Sequence, residues 1–598
     1  MTAVSTPLRA RWRPALVAGL FLVTGATAQD PSPKAVAAVE TADPAGARAH
    51  ASLLASSGFP SARECGECHQ RQYREWSVSP HAYAQMSPTY TAYQALLVKL
   101  TQGSLGDFCV RCHTEVGMTL GEPIIASNRD RAPISVEGIT CVTCHRVSVP
   151  LGKNVGRFPL EPGDLTAPIW GPHDGAELAR VLANPDTYKR VVTDSAQPGR
   201  RVHREARELP QITRPAFCGR CHDVRLVDGM RLEDAFSEYK QSAAAGRGET
   251  CQDCHMGPVP GIASAYPDAP AAVIGEVPTA PTRRTNHMFA GPDVPVVHPG
   301  LFPHNPAAAE LATPEEWRLF DWQAGWGTDT FEDGEPEDGE FPERWASVDD
   351  RYDGRRILDD QLALRLEARE RGTTLLRRGY GLGEIVDRRP AKGLSFEVDV
   401  FNATDGHSVP TGLIVERMVF LQVEVLDGAG AVVFRSGDLD PDGDARDLHS
   451  EWVRQGLLPL DEQLFNLRSP YVVHNLAGSE REQILPANYS FDPLVFVRPS
   501  PTPSLLMGGV ASVRLHKRNI EPEGRRTARF QVPAAALAGR PGPFAVTVRL
   551  VSGPLPVHLL RTIGSVGWEW GLSTRDVAEG ILSGYRILWE RRARLSDG

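Results

Sequence analysis

The sequence predicts a multi-domain protein: a loop-rich, mainly α domain, then an antiparallel β-sandwich domain, then a C-terminal helix. Three observations predict it. Between residues 65 and 255 one pattern, C-x-x-C-H, recurs five times in a stretch broken by many Gly and Pro. From Gly393 to Leu550 the apolar period becomes two, with Gly and Asp turns between runs. Beyond it, Ser573-Thr-Arg-Asp576 reads as a capping box in front of an apolar helical stripe.

At 598 residues the chain exceeds one ordinary domain. Hydrophobic content of 41% and charged content of 23% are those of a soluble globular protein. A formal charge of -10, with no basic cluster, argues against a nucleic-acid partner. Residues 1–28 read as a secretory signal: Arg9, Arg11 and Arg13 precede the apolar run Ala15 to Thr24, and Ala26-Thr27-Ala28 is a small-residue cleavage site. An uncleaved anchor is the other reading, but the run is shorter than the ~20 residues a spanning helix needs. No other segment is long and apolar enough to cross a bilayer, so the expectation is a bacterial periplasmic or extracellular protein. Residues 29–57, rich in Ala, Pro and Ser, read as a flexible leader.

The five copies are Cys65-Gly-Glu-Cys68-His69, Cys109-Val-Arg-Cys112-His113, Cys141-Val-Thr-Cys144-His145, Cys218-Gly-Arg-Cys221-His222 and Cys251-Gln-Asp-Cys254-His255. C-x-x-C-H is the attachment signal of c-type haem: the two thiols add to the vinyl groups of one porphyrin and the histidine reaches the iron. Zinc half-sites and disulfides are the competing readings of C-x-x-C. Five copies do not pair off into zinc sites, and neither reading explains why every second cysteine is followed by His. Because the copies use all ten cysteines, the expectation is five covalent haems over residues 58–310. Short helices should carry the signals, joined by long loops, because cofactors bury what side chains do not. Residues 257 to 306 hold eleven prolines and should run extended across the haems.

Gly58-Phe59-Pro60, the first signal, Tyr73, Trp76 and Ser79-Pro80-His81-Ala82 together resemble the multihaem c-type cytochromes of the cytochrome c-554 family, whose best-known member has four haems. The resemblance continues through Gly138-Ile139-Thr140, Trp170-Gly171-Pro172, Phe217 and Asn286-His287-Met288-Phe289, covering about residues 58 to 290. It implies that His81 is a distal haem ligand, with His287 the second candidate and His203, upstream of the fourth signal, the third. His173 and His298, in Gly-Pro and His-Pro turns, are further candidates. His407 lies in Asp405-Gly406-His407-Ser408-Val409-Pro410-Thr411-Gly412, similar to G-H-x-x-P-T-G loops of multihaem cytochromes that carry a β-domain. Methionine ligation, by Met86, Met118, Met256 or Met288, is the alternative to histidine.

Residues 311–390 read as a helical and acidic connector. Thr313-Pro314-Glu315-Glu316 opens a helix running through Trp317, Phe320 and Trp322; 329 to 343 is a solvated acidic stretch; Arg355 to Arg378 is a helix with leucines at 358, 362, 366 and 375. Residues 391–560 form the sandwich, with strands at 395–401, 418–425, 431–434, 512–515, 527–530 and 544–550. Residues 561–598 are the helical tail, with Val577, Ile581, Tyr585, Leu588 and Trp589 on one stripe.

Histidines suffice to close both faces of five irons, and a closed haem has no position for substrate. The leading expectation is an electron carrier between redox partner proteins, other cytochromes or a membrane quinol-linked donor. The alternative is an oxidoreductase acting on a small nitrogen or sulfur compound at one open haem.

Overall fold

A computed structural model describes residues 58–147, 156–226, 230–302, 304–334, 341–388, 393–474, 487–490, 494 and 513–596. The signal and leader of the sequence reading lie outside these residues. The described residues all fall in one compact unit.

The N-terminal half is a succession of short helices and loops. Each C-x-x-C-H sits on or beside a helix of one or two turns: Ala62–Gly66, Val110–His113, Cys141–His145, Pro215–Cys218 and Cys251–His255. Helical spacing puts residues i, i+3 and i+4 on one face, so the thiols and the imidazole of each copy point the same way. Two of these short helices are closed by reciprocal caps. Ser61 and Glu64 form a capping box on the first, Thr250 and Asp253 on the fifth. The proline-rich segment after the fifth copy is mostly irregular, with small antiparallel ladders pairing Asp268–Pro270 with Pro281–Arg283 and Val273–Ile274 with Val277–Pro278.

The helix Val348–Gly379 joins the halves. Ser347 caps it, Asp349 and Asp350 occupy its first turn and Arg377 and Arg378 its last, so both ends complement the helix dipole. It begins earlier than the leucine stripe implied, because that start is specified by the cap and not by periodicity. The Thr313 helix is shorter than expected: it stops at Arg318, and Phe320 and Trp322 follow it. Trp317, Phe320 and Trp345 still meet, with ring centres 4.7 to 5.7 Å apart.

The C-terminal half contains several antiparallel sheets. In one, Leu394–Asn402 pairs with Arg525–Val532 from Leu394↔Val532 to Phe401↔Arg525, and also with Tyr380–Leu382 and Val386–Asp387. Another runs Val432–Ser436, Met418–Leu426, Phe544–Gly553, Arg586–Leu595. Phe396, Val398 and Phe530 of the first and Leu421, Val423, Val546 and Val548 of the second belong to one buried apolar cluster. The expected strand at 512–515 is found at Val513–Leu515, but in a small third sheet beside Tyr471–His474. The C-terminal helix needs correction. It spans Thr574–Ser583 with the expected Ser573–Asp576 capping box, but Leu588 and Trp589 lie on the strand Arg586–Leu595.

Candidate haem sites

All ten cysteines and all five motif histidines line one connected cavity of about 1840 Å³. None of the ten forms a disulfide, and among the described residues no group of three or more His, Cys, Asp or Glu is placed to hold a metal ion alone.

The copies lie side by side. Cys65 of the first is a near neighbour of Cys141 of the third, Cys112 of the second of Cys221 of the fourth, and Cys218 of the fourth of Cys251 of the fifth. Cys144 of the third is close enough to Cys221 for their charges to interact, and both pack at one apolar cluster with Phe158, Trp170 and Phe217. The third and fourth copies therefore form the trunk, and the first, second and fifth attach to it.

Four motif imidazoles are oriented alike. Nδ1 of His69, His113, His145 and His255 meets the carbonyl oxygen of Ala271, Ala84, Trp170 and Ala290 at 2.7 to 2.8 Å. A carbonyl can only accept, so Nδ1 carries the proton and the Nε2 lone pair remains for a metal. His203 and His407 show the same arrangement, on Leu165 O at 2.7 Å and Ser408 O at 2.8 Å. Burial holds these imidazoles neutral. It pushes His81 down to about 3 and His113, His145 and His203 to about 4, and it lowers His69, His222, His255 and His407 as well.

Three of the candidate distal histidines face a motif histidine. Ring centres lie 6.3 Å apart for His69 and His203, 6.2 Å for His81 and His222, and 6.3 Å for His255 and His407. Two imidazoles on opposite sides of one metal ion, each bonded at about 2 Å with its ring centre about 1 Å further back, have centres about 6 Å apart. His287 also lines the cavity, near enough to His69, His81 and His145 to affect all three electrostatically, while its nearest described ring partner is Phe289 at 5.9 Å. His173 is exposed at the cavity wall, and among the described residues no motif imidazole faces it at this spacing. His298 lies away from the cavity lining, its ring 6.3 Å from Trp317.

The supports for these rings come from distant parts of the chain. The loop carrying His81 receives the Ile139 N–H on the His81 carbonyl at 3.0 Å and lends its Ala84 carbonyl to His113. The loop carrying His407 is tied to the haem-bearing half through Thr411 to Glu238 at 2.8 Å and Asp405 to Arg247 at 2.6 Å. Two residues escaped the sequence reading. Tyr90 lies parallel on the His113 ring, centres 3.8 Å apart, and His304 is buried between Trp76 and Tyr83. Neither carries a local signal, since only folding brings those rings together.

Paired thiols on one face, imidazoles with free Nε2 and apolar walls fit haem c at these sites. Repeated C-x-x-C-H turns that open onto one shared cavity are the arrangement of a multihaem c-type cytochrome, and haem c is the cofactor they fit. Residues 64–146, which hold the first three C-x-x-C-H copies, match the family model described as cytochrome c554 and c-prime. No curated protein matches it. A solved structure, the penta-heme cytochrome c552 from Thermochromatium tepidum, aligns with 90% of this chain and 98% of its own at 15% identity, with a TM-score of 0.47. Among the described residues no helix is long and apolar enough to cross a membrane.

Proposed function

We propose that the chain is an exported, periplasmic or extracellular cytochrome that conducts electrons along five covalently bound haems between redox partners, other cytochromes or a membrane quinol-linked donor. Each cysteine pair holds one haem and the adjoining histidine binds its iron. His203, His81 and His407 close the first, fourth and fifth sites from the opposite side, and His287 closes the third. Haem with two histidine ligands supplies one-electron exchange and no position for substrate. The β-strand half is a sandwich whose part is to deliver His407.

The observation that carries this reading is that all five copies open onto one connected cavity, so no site is isolated from the others. Denatured protein is expected to show a mass excess of five haems, and carbon monoxide added to the reduced protein is expected to leave unchanged the four haems closed by His203, His81, His407 and His287. Fewer haems would defeat the count. Rapid carbon monoxide binding at one site, together with turnover of nitrite or hydroxylamine, would replace the carrier with an enzyme.

A further inference from the structure

The imidazoles above are oriented through Nδ1 by backbone carbonyls, whereas His287 is held by a side chain. Its backbone N–H donates to Glu75 Oε2 at 2.8 Å, and the same oxygen lies 3.8 Å from its Nδ1, a buried atom with no hydrogen-bond partner. Glu75 sits on the helix Gln70–Trp76, immediately after the first motif, and is only 5% exposed. Its other oxygen accepts from Arg71 Nε at 2.8 Å; the Arg71 side chain is half exposed. Glu75 thus accepts from the His287 backbone and from the Arg71 guanidinium, the donor set of a carboxylate paired with a cation.

We propose that Glu75 is a positioning residue for His287, aiming the imidazole into the cavity and biasing the third haem site toward its oxidised state. The inference rests on the reading of His287 as the ligand opposite His145. Three details support it. The Glu75 anchor fixes the backbone of His287 at the point where Asn286 and Ala290 on either side bond to the fifth motif, through Met256 O at 2.7 Å and His255 O at 3.0 Å. That leaves the ring little freedom except rotation into the cavity. A carboxylate beside an axial imidazole also polarises it toward the metal, which favours the higher charge on the iron. Finally, the pair is only partly neutralised, because the countercharge on Arg71 extends toward water while the carboxylate remains in a low-dielectric interior.

Three variants of the holoprotein test this, read by electron paramagnetic resonance and by redox titration of the individual haems. His287→Ala should turn one haem from low spin to high spin; an unchanged spectrum would remove His287 from the ligands, and the role of Glu75 with it. Glu75→Gln keeps the shape and an acceptor but loses the charge, so every centre should keep its spin state while one midpoint rises and the others stand still. Unmoved midpoints, in a protein where His287→Ala has produced a high-spin haem, would overturn the role of Glu75 and leave the ligand in place. Arg71→Gln, at a half-exposed position that folding tolerates, should move the same midpoint down; no movement there would also overturn the proposal.

Discussion

Gly138 shows how one residue can govern a ligand from a distance. Its φ is +66°, and a Cβ there would lie 2.7 Å from the His81 carbonyl oxygen and 3.1 Å from the Ala84 nitrogen. Alanine would meet both the backbone penalty and a collision with main chain, which cannot move aside as a side chain can. Gly138→Ala is expected to cost about 1–3 kcal/mol of stability, measured by thermal or denaturant unfolding, and, on the proposed ligation by His81, to disturb one low-spin haem signal. At this scale the sequence divides cleanly into what is legible and what is not. The C-x-x-C-H residues stand out in the sequence because the covalent attachment proposed for them would dictate their spacing. The opposite ligands could not be ranked from local text. His81 and His298 both sit beside a proline, yet one faces His222 and the other leans on Trp317. The difference is made by Ile139 and Gly138, remote in sequence from the first and unrelated to the second.

Among the elements, the helix Val348–Gly379 explains how a segment so rich in proline can be held. Prolines contribute carbonyls but no N–H groups, and the helix supplies the missing donors. Gln361 bonds Gly300 O, Arg365 Pro295 O, Arg371 Gly257 O and Arg378 Pro260 O, at 2.7 to 2.9 Å. On its other side Arg369 bonds Ser583 O and Arg377 bonds Leu588 O. Leucine spacing revealed that a helix existed, but not that its arginines were the reason for its length. Its start is fixed by Arg351, buried with Glu332 at 3% side-chain exposure each and bonded also to the carbonyls of Trp345 and Ala346. Removing one partner strands the other charge, so Arg351→Met should destabilise the protein by about 3–5 kcal/mol, seen as a lower unfolding midpoint with haem spectra unaltered below the transition. The C-terminal strand illustrates the opposite failure. Ile581, Leu588 and Trp589 satisfy a helical stripe, but Arg586–Leu595 has a ready partner edge in Phe544–Gly553 and pairs with it along its length. Tertiary pairing overrode local periodicity.

For the molecule as a whole, the contact between His255 and His407 joins its two halves. The alternating strands of the second half were plain in the sequence, since a buried face and a wet face impose period two. That their first loop would bring His407 to face His255 was implied only by likeness to other G-H-x-x-P-T-G loops. His407→Ala is expected to leave five haems attached, to convert one of them to high spin and to speed proteolysis between the halves. Unchanged spectra with lowered thermal stability would mean that the loop only braces the structure.

The same contact sets an order in time. On the proposed ligation, Cys251, Cys254 and His255 emerge from synthesis and export well before His407 does, and the loop bearing His407 takes shape only after Arg525–Val532 has arrived to pair with Leu394–Asn402. A porphyrin can thus be attached to the fifth motif while the residue meant for its far side is still on the wrong side of the membrane. For that interval the newborn chain carries an iron with one bare face, and the last strands to be translocated are what shield it.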